Sequence, residues 1–120
     1  MSNIAFITGS RSEVGALKGV LEEVDKKCFS DYCVIMHGAH NLELFGNTSN
    51  ELSKQFKEKI IFVKTILDMT EDKKELFVSS VINLHSVLKK EKVSDVYIIG
   101  DRLEAYSATL AAHLLNLKIF

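Results

Sequence analysis

Gly100-Asp101-Arg102-Leu103-Glu104 places a carboxylate, an arginine and a second carboxylate within about one helical turn, directly after an apolar run. A carboxylate held at such a tip can give or take a proton, and the neighbouring guanidinium can grip a phosphate through two N–H groups. Glu104 can orient Arg102 or bind a hydroxyl. The same spacing also suits a plain helix start, with Asp101 as its cap and Arg102 and Glu104 as a local ion pair. Thr8-Gly9-Ser10-Arg11-Ser12-Glu13 is a second segment of this kind. A strand, a glycine and a helix start turn free backbone N–H groups and the positive helix end toward an anion, and Arg11 can add a phosphate contact. The alternative is that Gly9 only makes the turn and Arg11 is solvated. No GxGxxG fingerprint and no Gly-Lys-Ser/Thr P-loop is present, which weakens dinucleotide and ATP readings.

His37-Gly38-Ala39-His40 sets two imidazoles three positions apart, which is half of a tetrahedral metal site, so no metal is expected. His40 suits a hydrogen bond to a substrate, while His37 ends a strand. His85 and His113 fall inside helices as packing or surface residues, and Lys89-Lys90 reads as a solvated helix end.

The elements that position these segments follow from hydrophobic spacing. Asn3 to Thr8 reads as a strand, and Ser10 and Glu13 have capping-box spacing for a helix carrying Val14, Leu17, Leu21 and Val24 to about Lys27. Tyr32 to Met36 is a buried strand; Asn47-Thr48 caps a short polar helix from Ser49 to Lys57; Ile60 to Ile66 is a third strand. Asp72 and Glu75 open a helix whose face is Phe77, Val81, Leu84 and Leu88 and which reaches Lys92. Val96 to Ile99 forms a fourth strand. Ala105, Ala108, Ala111 and Ala112 let the next helix lie close on a sheet, and Leu117 to Phe120 starts a fifth strand.

Alternating strands and helices with near-continuous apolar strands predict an α/β fold, a doubly wound parallel sheet of Rossmann-like type. Ligands of such sheets lie beyond the carboxyl ends of the strands near the topological switch point. Segments 9–13, 37–46 and 100–104 should therefore share one rim.

With 120 residues the chain is one domain, and 47% hydrophobic against 26% charged residues is the composition of a folding globular protein. A formal charge of −1 excludes a polybasic surface for nucleic acid or anionic lipid. The apolar runs are strand-sized, no export signal opens the chain, and Cys28 and Cys33 fit neither a CxxC pair nor a zinc knuckle. These features predict a cytoplasmic protein with reduced thiols. The chain contains no proline, and nothing in its organisation explains that.

Taken together, three segments resemble the UDP-N-acetylglucosamine 2-epimerases, in particular the hydrolysing branch of sialic-acid-type sugar biosynthesis. Thr8-Gly9-Ser10-Arg11-Ser12-Glu13-Val14-Gly15 is similar to that family's opening Thr-Gly-Thr-Arg-Ala-Glu-Tyr-Gly. Gly38-Ala39-His40-Asn41-Leu42, followed by Phe45-Gly46-Asn47-Thr48, resembles its Gly-x-His-Leu and later Gly-x-Thr. Gly100-Asp101-Arg102-Leu103-Glu104-Ala105 is close to its Gly-Asp-Arg-Phe-Glu-Ala.

The resemblance implies the N-terminal Rossmann-like domain of a two-domain GT-B type enzyme that needs no cofactor. The family eliminates UDP across C1 and C2 to a 2-acetamidoglucal and adds water, releasing N-acetylmannosamine. Carried over, Asp101 is a catalytic acid/base, Gly9, Ser10 and Arg11 bind the nucleotide diphosphate, Arg102 faces the nucleotide, and His40 and Glu104 occupy substrate-binding positions. Gly19 and Val93 stand where relatives often have proline, and Val14 replaces an aromatic residue. The family's His-Ile-x-Gly-Gly-Glu loop and second domain do not follow Phe120. The chain is therefore expected to be an N-terminal part, inactive alone, whose partners are a UDP-sugar and a missing C-terminal domain or a separate chain carrying it. A fifth strand cut short is expected to leave a sheet edge open to homo-oligomerisation. The alternative expectation is a non-catalytic nucleotide-binding or interaction module.

Overall fold

The computed structural model describes residues 4–9, 14–26, 32–37, 59–63, 73–99 and 103–120. Five strands pair in parallel: β1 (Ile4–Thr8), β2 (Tyr32–Met36), β3 (Ile60–Phe62), β4 (Asp95–Ile98) and β5 (Lys118–Ile119). The described helices are α1 (Val14–Lys26), α2 (Lys73–Lys90) and α3 (Leu103–Leu114). Strand order is β3-β2-β1-β4-β5, the order of a Rossmann-like doubly wound sheet.

Side-chain alternation sorts the sheet into two apolar layers. Ala5, Ile7, Cys33, Ile35, Val63 and Val96 point to one face, where Leu84 and Leu88 of α2 and Ala108, Ala111 and Ala112 of α3 meet them. Phe6, Tyr32, Val34 and Met36 point to the other face, under Leu17 and Leu21 of α1. Handedness explains the split. The step from β1 to β2 runs one way across the sheet, and the steps from β3 to β4 and from β4 to β5 run the other way. Right-handed crossovers then place α1 on one face and α2 and α3 on the opposite one.

The α1 face is covered unevenly. Tyr32, Phe6, Tyr97 and Phe120 form a row of rings across β2, β1, β4 and β5, with centroid separations of 6.0, 5.2 and 4.8 Å. Tyr32 and Phe6 are buried, whereas Tyr97 is 36% and Phe120 60% exposed. The β5 side of the sheet presents this apolar margin among the described residues.

Both later helices end in a Schellman motif. Lys92 and Asn116 take positive φ angles of 55° and 59°. Val93 N–H donates to the Leu88 carbonyl and Lys92 N–H to that of Lys89, while Leu117 N–H donates to Ala112 and Asn116 N–H to His113. The left-handed turn at Lys92 is why α2 stops at Lys90, two residues before the expected end. β3 stops at Phe62 rather than running to Ile66; Val63 adds one further bond, to the Met36 carbonyl at 2.9 Å, and 64–70 lie outside the described residues. β2 coincides with its expected span, and β4 is shifted one residue earlier, to Asp95–Ile98. Cys33 is buried in the layer of the core under α2 and α3. Cys28 and the expected polar helix at 49–57 lie outside the described residues. Among the described residues no helix is long and apolar enough to cross a membrane.

Candidate functional site

The site is built on the carboxyl ends of β1, β2 and β4. Thr8 lies opposite Met36, and Ile7 opposite Ile98, so the three strands finish level with one another. His37 N–H donates to the Thr8 carbonyl at 3.1 Å, and Ile99 N–H to the Ile7 carbonyl at 3.3 Å. Each bond extends a ladder one step past the strand and fixes where the chain leaves the sheet. Thr8, Gly9 and His37 are all buried there.

The strand order reverses between β1 and β4, and this is the topological switch point. β1 leads into α1 and β4 into α3, so both helices begin on this rim and direct the positive ends of their dipoles toward it. An anion at the switch point would meet two such helix starts.

Of the residues singled out from the sequence, Gly9 sits at the end of β1 and Glu104 is the second residue of α3. Ser10, Arg11, His40, Asp101 and Arg102 lie outside the described residues. The strand ends flanking them are in place: the chain carrying Ser10 and Arg11 departs from Gly9, and that carrying Asp101 and Arg102 departs from Ile99, on the neighbouring strand. His40 belongs to the segment that departs from His37 at the end of β2.

Two rim residues were read from the sequence only as strand ends, Thr8 and His37, without their burial or their main-chain bond. Thr8 and His37 are polar, fully buried and joined main chain to main chain. The signal was there in part, since each closes a wholly apolar strand. Among the described residues no group of three or more His, Cys, Asp or Glu side chains could hold a metal ion.

No protein-family profile matches the chain. A curated relative, the hydrolysing UDP-N,N'-diacetylbacillosamine 2-epimerase of Legionella pneumophila, is 28% identical over 118 residues, 97% of this chain and 31% of that protein. The chain is similar to the UDP-sugar 2-epimerases. Solved 2-epimerases carry the likeness in fold. A crystal structure of UDP-N-acetylglucosamine 2-epimerase superposes with a TM-score of 0.78 at 18% identity, covering 98% of this chain and 32% of that one. The Neisseria meningitidis UDP-GlcNAc 2-epimerase bound to UDP-GlcNAc gives 0.77 at 20% identity, covering 97% and 30%. The chain thus spans about a third of the length of the 2-epimerases it matches.

Proposed function

We propose that this chain supplies the nucleotide-facing, N-terminal part of a hydrolysing UDP-sugar 2-epimerase, acting on UDP-N-acetylglucosamine or a related 2-acetamido sugar nucleotide. The observation that carries the reading is the adjacency of β1 and β4 at the switch point, because the Arg11 and Asp101-Arg102 segments leave the sheet from neighbouring strand ends. Support comes from the Legionella relative, whose hydrolysing chemistry acts on a 2-acetamido UDP-sugar.

In this reading the reaction divides between the two loops. Asp101 accepts the proton from C2 as the C1–O bond to UDP breaks, leaving a double bond between C1 and C2. Arg11, Arg102 and the helix starts take up the charge that builds on the departing diphosphate. Water then adds across the double bond, its hydroxyl to C1 and a proton to the opposite face of C2, and the 2-epimeric sugar is released. A base at C2 and cations at the diphosphate have to act at the same moment, which is why one rim must hold both.

The chain alone is proposed to be inactive, since it spans only 31% of the hydrolysing relative. The reading is tested by pairing the chain with the complementary C-terminal portion of a 2-epimerase and assaying UDP release from UDP-N-acetylglucosamine and UDP-N,N'-diacetylbacillosamine. Release with either substrate, reduced roughly 10²- to 10⁴-fold by Asp101→Asn, is the expected result. Full activity in that variant would remove Asp101 from the chemistry, and no release in any pairing would remove the epimerase reading.

A further inference from the structure

We draw no further inference here: the strongest candidate, the open aromatic margin of Tyr97 and Phe120 on the α1 side of β4 and β5, is an exposed apolar face, and nothing among the described residues shows what covers it.

Discussion

His37 N–H donates to the Thr8 carbonyl at 3.1 Å, and through that bond the ends of β2 and β1 are held level at the switch-point rim. Both residues are buried, Thr8 at 0% and His37 at 1% exposure. Truncating His37 to alanine therefore removes a whole ring from a close-packed position and is expected to cost about 2 kcal/mol of stability, read as a lower urea midpoint. Restoring volume with His37→Gln should return more than half of the loss. An alanine variant as stable as wild type would show that the ring is not packed as described.

Binding of UDP should depend on the segment that leaves β1 at Gly9. Two helix starts and Arg11 supply the positive potential in the proposed site, and a guanidinium on a diphosphate makes strong, charge-assisted hydrogen bonds. Calorimetric titration of the chain with UDP is expected to show binding that Arg11→Ala weakens by about tenfold or more. Unchanged affinity in the variant would detach Arg11 from the nucleotide. A folded chain that does not bind UDP would take the nucleotide away from this rim.

The aromatic row gives a contrast in stability between its covered and open ends. Phe120 stacks on Tyr97 at 4.8 Å but remains 60% exposed, so Phe120→Ala loses the ring pair and little buried area, an expected cost of about 0.5–1.5 kcal/mol. Leu84→Ala, at a fully buried position between α2 and the sheet, should cost about 2–5 kcal/mol. The strand should survive the first change, because Phe120 keeps both main-chain bonds, from its N–H to Val96 and from Ile98 to its carbonyl. Urea denaturation of the two variants measures the difference, and equal losses would mean that the open margin is packed as tightly as the core.

How far the fold was legible depends on what each residue's neighbours require. β2 could be read at both ends because Tyr32 to Met36 is buried on both faces and tolerates only apolar side chains. The face of α2 was legible through Leu84 and Leu88, yet Ser80, also buried, was hidden by its polarity. β3 was read too long: Val63, Ile66 and their neighbours look like strand, but pairing with β2 ends where β2 itself ends at Met36. The rim was legible as a place, since apolar strands must end at Gly9 and near Gly100. Its buried polar members were not, because Thr8 and His37 look like strand terminators until their main-chain bond is seen.

The end of α2 went unrecognised for a related reason, and it yields the sharpest stability prediction. A left-handed residue at a helix end is usually glycine, and here Lys92 takes that conformation at φ 55°. The Schellman bonds from Val93 to Leu88 and from Lys92 to Lys89, with Val93 buried against the core, hold the lysine in a conformation that its Cβ opposes. Lys92→Gly removes that opposition while leaving both main-chain bonds in place, and Lys92 is exposed, so no packing is lost. Against this stands the greater freedom of glycine in the unfolded chain, which offsets part of the gain. The net expectation is stabilisation by about 0.5 kcal/mol, seen as a higher urea midpoint with an unchanged slope. Lys92→Ala keeps the Cβ and should show no such gain, so a glycine variant no more stable than the alanine variant would contradict the left-handed turn at this position.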